Sequence, residues 1–169
     1  SGKRVVVVDA DPQGNATSGI GIDKNTIPLT LYDGLLRKKN SSDILTMTTH
    51  KNITVMPSNA NLAGAEVELT TVHGREFALK ELLNGILADY IIIDCPPSLG
   101  VLTLNGLTAA DEVIVPLQCE TLAHRGVGQF LRTVTDVQQI TNPDLKMLGA
   151  LPTLSDSRTT QSRDVLLDV

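Results

Sequence analysis

The stretch KRVVVVDADPQGN, residues 3–15, decides how this chain is read. The run Arg4–Val8 carries four consecutive valines and does not alternate with polar residues. A short β-branched run of this kind reads as a strand buried on both faces, as in a parallel sheet. It ends in Asp9, Ala10, Asp11, Pro12 and Gln13. Strand side chains alternate, so Asp9 and Asp11 face the same way while the extended form persists. Pro12 disfavours a helical Asp11 and keeps the exit extended. Four further runs have the same character: Ile53–Met56, Tyr90–Ile93, Val113–Leu117 and Met147–Leu151.

Helical patterns lie between these runs. Thr30 is the expected N-cap of TLYDGLLRKK. The stretch GREFALKELLNGIL places Phe77, Leu79, Leu82, Leu83 and Ile86 mostly on one stripe. LTLNGLTAAD follows the Tyr90–Ile93 run. RGVGQFLRTVTDVQQI spaces Val127, Phe130, Leu131, Val134 and Val137 helically before Pro143 stops it. A last helix opens at TTQSRDVLLDV. Strands alternating with helices predict a layered α/β sheet with right-handed crossovers. Asn40–Thr49 is the most polar connection and reads as a mobile surface segment. With no repeat, linker or low-complexity tract, residues 1–169 are expected to form one domain.

Composition narrows the functional classes. Hydrophobic residues make up 41% and charged residues 20%, the balance of a soluble globular protein. No apolar run approaches the roughly 20 residues that span a bilayer. The first residues lack the basic and apolar zones of a signal peptide. Cys95 and Cys119 form no CxxC, and no histidine stands at metal spacing, so a reduced cytoplasmic setting is expected. The net charge of −5 argues against a nucleic-acid coat, and four aromatics offer no stacking platform for bases.

In α/β sheets ligands sit beyond the carboxyl ends of the strands. Asp9 and Asp11 lie there after the first run. Asp94-Cys95-Pro96-Pro97-Ser98 lies there after Tyr90–Ile93, an acid at the tip of an apolar strand in a Walker-B-like arrangement. Such an aspartate holds Mg²⁺ or its water, because Mg²⁺ prefers oxygen ligands and keeps most of its waters. Acids also end strands simply where the chain meets water; two such tips together favour a shared cation site. Cys95 reads as a buried structural thiol. The basic cluster LRKK, Leu36–Lys39, is accounted for by a helix C-terminus. Arg158 and Arg163 lie in a polar segment that reads as a helix-start loop.

At this point the strings VDADPQGNATSG and IDCPPSLGVLTLNGLTAAD, followed by LGALPTLSDSRTTQSRDVLLDV, resemble the ParA/Soj partitioning ATPases and their MinD-like relatives with a deviant Walker A motif. The resemblance covers nearly the whole chain in the right order. It implies a P-loop NTPase-like, mostly parallel sheet with helices on both faces. It also implies an ATP-dependent homodimer that binds non-specific DNA on the nucleoid, and a ParB-like centromere-binding partner that stimulates hydrolysis. Carried over, Asp94 resembles the Walker B aspartate that holds Mg²⁺. Asp9 resembles the acid that steadies the metal's water shell, and Asp11 the residue that orients the attacking water. Pro12-Gln13-Gly14-Asn15 and Pro96-Pro97-Ser98-Leu99-Gly100 resemble the two switch loops, so Pro12, Gln13, Pro96 and Pro97 are expected beside the nucleotide. The segment CETLAHRGV, Cys119–Val127, departs from the family's commoner form.

The glycine-rich KGGxGK[ST] loop of the family does not occur in these 169 residues. The chain is therefore expected to be an internal piece of a ParA-like protein, incomplete at its P-loop strand and C-terminal part and inactive alone. In the family the P-loop strand lies beside the Walker B strand, so Tyr90–Ile93 is expected to lack one ladder neighbour and to leave an apolar patch. Two other readings stay open. One is a non-catalytic interaction module that keeps the fold. The other is a receiver-type phosphoacceptor domain, disfavoured by the long spacing from Asp11 to Asp94 and by the absence of a lysine directly after Val113–Leu117.

Overall fold

The computed structural model of the protein describes residues 2–118 and 123–153. The helix expected at TTQSRDVLLDV, Arg158, Arg163 and the start of CETLAHRGV fall outside the described residues. The chain forms two compact units, residues 1–109 and 110–169. Among the described residues no helix is long and apolar enough to cross a membrane.

The first unit is built around β1 (Val5–Asp9), β2 (Thr46–Met47), β3 (Ile53–Met56) and β4 (Tyr90–Asp94), in the order β2-β3-β1-β4. β1 pairs in parallel with β3 and with β4, and the β1–β4 register sets Val5 beside Tyr90 and Asp9 beside Asp94. β2 alone is antiparallel. The helices are α1 (Asn15–Gly19), α2 (Leu31–Leu35), α3 (Ser41–Ile44), α4 (Leu62–Glu68), α5 (Ala78–Leu83) and α6 (Val101–Ala109), with a 3₁₀ turn at Arg75–Phe77 leading into α5. Val6 and Val8 of β1 pack into a core with Leu31, Leu35, Ile44, Met56, Leu62, Leu79 and Leu102. The α/β, mostly parallel architecture expected from the alternating runs is present.

Local signals explain several elements. Thr30 opens α2 in a capping box: its backbone N–H donates to the Asp33 carboxylate at 2.9 Å. After α2, Arg37 adopts φ 57° and the backbone N–H groups of Lys38 and Lys39 both reach the Asp33 carbonyl. The side chains of this basic cluster are engaged locally, Arg37 with Glu81 at 2.7 Å and Lys38 over the Tyr32 ring. The expected mobile segment Asn40–Thr49 instead forms α3 and the edge strand β2. Asp43 closes a capping box with Asn40, and Ile44 is buried in the core.

The expectation that every apolar run is buried on both faces is met in part by the inner strands, where Val6 and Val8 of β1 are buried but Val5 and Val7 only half-buried. β4 stands at the sheet edge with β1 as its ladder partner; Tyr90 is 59% and Ile92 55% exposed. In the second unit β5 (Glu112–Gln118) and β6 (Lys146–Thr153) form a two-stranded parallel ribbon, irregular between Val113 and Ile114. Ile114 and Leu151 on it are more than half exposed. A two-stranded ribbon has no interior strand, so its faces depend entirely on what covers them. The long helix α7 (Ala123–Ile140) ends as expected before Pro143, with Val134, Val137 and Leu145 buried. Asn142 Nδ2 donates to the Ala110 carbonyl at 2.7 Å and ties the exit of α7 to the start of β5.

Candidate active site

β1 and β4 run in parallel, so their carboxyl ends lie side by side. That register alone sets Asp9 against Asp94, and the Ala10 N–H donates to the Asp94 carbonyl at 2.8 Å. The strand ends at Asp9. The extended path does not persist to Asp11; two successive aspartate turns replace it. Asp9 Oδ1 accepts the Asp11 N–H at 3.2 Å, and Asp11 Oδ1 accepts the Gln13 N–H at 2.9 Å. Pro12, which cannot donate, sits between them. Gly14 then takes φ 62° and starts α1. A Cβ there would approach both Lys24 and the Ser58 carbonyl to 2.9 Å, so the turn requires glycine.

Asp9 is fully buried. Its Oδ2 accepts both the Thr17 N–H, at 2.7 Å, and the Thr17 hydroxyl, at 2.6 Å. Thr17 Oγ1 in turn accepts the Ser58 N–H at 2.9 Å, and Ser58 Oγ donates to the Asp11 carbonyl at 2.8 Å. Lys24 Nζ donates to the Gln13 carbonyl. Thr17, Ser58 and Lys24 were not apparent from motif reading. Ser58 follows the carboxyl end of β3, so the strand-end rule that exposed the two acids also points to it.

Asp94 is different: it is exposed, and no hydrogen bond to its carboxylate is found among the described residues. Partial burial, with Asp9 and Asp11 nearby, holds its proton affinity above the ordinary aspartate range. A carboxylate destabilised by two neighbouring acids and open to solvent is suited to a cation. Among the described residues no three His, Cys, Asp or Glu side chains converge to ligate one ion directly. The donor set therefore fits Mg²⁺ held by one carboxylate and water, not a caged metal. Beyond β4, Pro96 is half-buried and Pro97 exposed, and Thr103 Oγ1 of α6 donates to the Ser98 carbonyl at 2.6 Å. Burial pushes the Cys95 thiol up to about 12, with Asp94 and Asp11 adding to the effect, and its sulfur packs at Gly106. That is an inert thiol.

A family model described as an AAA domain matches residues 1–147. The chain is 49% identical to the sporulation initiation inhibitor protein Soj of Bacillus subtilis over 99% of its own length and 67% of that protein. It is 48% identical to the chromosome partitioning protein ParA of Myxococcus xanthus, over 99% of its length and 60% of the relative. Among solved structures it resembles one from Mycobacterium smegmatis named cobyrinic acid a,c-diamide synthase, with bound ATP analog and magnesium. There the identity is 62% and the TM-score 0.93, over 99% of this chain and 69% of that one. The 169 residues thus span 67% and 60% of these two relatives. On this agreement of sequence and fold, the chain belongs to the ParA/Soj family of partitioning ATPases.

Proposed function

We propose that this chain carries the hydrolytic and metal-side acids of a Mg²⁺-ATP-dependent ATPase that acts in chromosome or plasmid partitioning. The observation that carries this reading is the β1–β4 register, which sets Asp9 beside Asp94 at the strand ends, with Asp11 close enough to raise the proton affinity of Asp94. Asp11 is the group for the attacking water. Its Oδ1 and main chain are held by the protein, and among the described residues no hydrogen bond reaches its Oδ2. Asp94 offers the open carboxylate for magnesium, which when bound would neutralise phosphate charge. Among the described residues Asp9 spends Oδ2 on Thr17 and its Oδ1 accepts one long bond, so Oδ1 is the oxygen available to steady a metal-bound water. Pro12, Gln13, Pro96 and Pro97 line the two connections that flank the nucleotide. The ATP-dependent homodimer, non-specific DNA and a ParB-like partner, in the cytoplasm at the nucleoid, belong to the same proposal.

The test uses the full-length protein. Asp11→Ala should leave ATP affinity intact and slow hydrolysis by roughly 10²-fold or more, the scale of a lost proton-handling or water-orienting group. Turnover close to wild type would refute the assignment. One observation favours a second reading: the 62%-identical mycobacterial protein bears a diamide-synthase name. ATP turnover that required cobyrinic acid and ignored DNA would select it. Failure of the full-length protein to bind nucleotide at all would leave a non-catalytic interaction module.

A further inference from the structure

We infer that Ser58 is a positioning residue for Asp11, acting from a different strand; this rests on the role proposed for Asp11. Ser58 lies just past the carboxyl end of β3, is fully buried, and uses both its main chain and its side chain on the crevice. Its N–H donates to Thr17 Oγ1 at 2.9 Å, and Thr17 is already fixed to Asp9 by two bonds. Its hydroxyl donates to the Asp11 carbonyl at 2.8 Å, where the Gly14 N–H also arrives at 2.9 Å.

The consequence is geometric. Asp11 has its N–H on Asp9, its carbonyl on Ser58 and Gly14, and Oδ1 on Gln13. Asp9 and Gln13 hold it from within its own loop. Among the described residues it is Ser58, just past β3 and 47 residues away in sequence, that ties its carbonyl to another part of the sheet. Removing the hydroxyl leaves the loop folded on its local turns but free to pivot about them. A group that orients water loses rate steeply when its direction wanders, whereas groups that only bind nucleotide do not.

The experiment compares wild type, Ser58→Ala and Ser58→Thr in the full-length protein. Ser58→Ala should lower kcat roughly tenfold, the equivalent of one net hydrogen bond, with KM for ATP unchanged. Ser58→Thr, which keeps the hydroxyl, should restore kcat. Without nucleotide, amide exchange at Gln13 and Gly14 should quicken in Ser58→Ala and not in Ser58→Thr. An unchanged kcat in Ser58→Ala overturns the inference. So does a loss of kcat matched by an equal loss of nucleotide affinity or of the folding transition, which would make Ser58 structural. A wild-type protein that binds but does not hydrolyse ATP would sink the role of Asp11 itself, and would be seen before any variant is compared.

Discussion

Asn105 gives the sharpest stability test. It sits in the middle of α6, 1% exposed, and its side-chain amide makes three bonds, each 2.9 Å long. Oδ1 accepts the Leu79 N–H; Nδ2 donates to the carbonyls of Arg75 and Val101. Arg75 and Leu79 are four apart, the spacing of a helical bond. The tighter 3₁₀ turn gives the Arg75 carbonyl to the Ala78 N–H as it leads into α5. The Asn105 amide spans that junction, satisfying the Leu79 N–H and adding a second donor to the Arg75 carbonyl. In Asn105→Ala the Leu79 N–H loses its partner inside the protein, whereas the Arg75 carbonyl keeps the bond from the Ala78 N–H. Val101 suffers least, since a helical carbonyl at that position keeps its own i+4 bond. One orphaned donor at about 1–3 kcal/mol implies a loss of roughly 2 kcal/mol. That is a sizeable share of the ~5–15 kcal/mol that holds a domain together. Urea unfolding of the full-length protein, followed by circular dichroism, measures it. Asn105→Asp is the companion: it keeps the acceptor for Leu79 but turns a carboxylate toward two carbonyls, and should be at least as damaging at neutral pH. A loss below about 1 kcal/mol in Asn105→Ala, with an unchanged m-value, would refute the reasoning. It would show that Arg75 and Leu79 close the helix on each other once the amide is gone.

Asp94 supplies a pH test. Burial and the neighbouring acids raise its folded proton affinity above the unfolded value, so the fold favours the protonated form. Stability is then lost as pH rises from the ordinary aspartate range through the raised value. Asp94→Asn should therefore melt higher than wild type near pH 7 without nucleotide, with the gap closing at acid pH, and should lose the added stability that Mg²⁺-ATP gives; a lower melting point at neutral pH without nucleotide would contradict this. Cys95, held near 12, should react with iodoacetamide at pH 8 about a thousandfold more slowly than an unfolded thiol, as read by peptide mapping. Labelling at the unfolded rate would show that the thiol is neither buried nor protonated.

Much of the crevice was legible because strand ends carry few interpretations. A run as apolar as Arg4–Val8 tolerates an interior place, and acids at its tip lie at the carboxyl edge of the sheet. The Thr30–Asp33 cap was legible for a similar reason, since a capping box needs only four consecutive positions. Thr17, Ser58 and Asn105 were not. Each is a small polar residue whose work is done by a hydrogen bond across at least one element boundary, and the sequence pattern records no such partner. Asn105 in particular reads as an interruption in LTLNGLTAAD, although its burial among three partners makes it one of the most constrained side chains in the first unit.

The contrast between β1 and β4 shows where pattern reading stops. VVVVD and YIIID have the same length, the same ending and nearly the same hydropathy, and they pair residue for residue. Yet Val8 is wholly buried while its register partner Ile93 is not, and Ile92 is 55% exposed while its partner Val7 is half-buried. Hydropathy reports what a strand tolerates around it, and both strands tolerate an interior place. Burial depends on lateral order: β1 has β3 and β4 on its two sides, and β4 has β1. Lateral order is fixed by which crossovers form, a long-range property absent from any five-residue window. The acids escape this ambiguity. Asp9 and Asp94 meet because parallel strands in register align their ends, whichever of the two strands is interior.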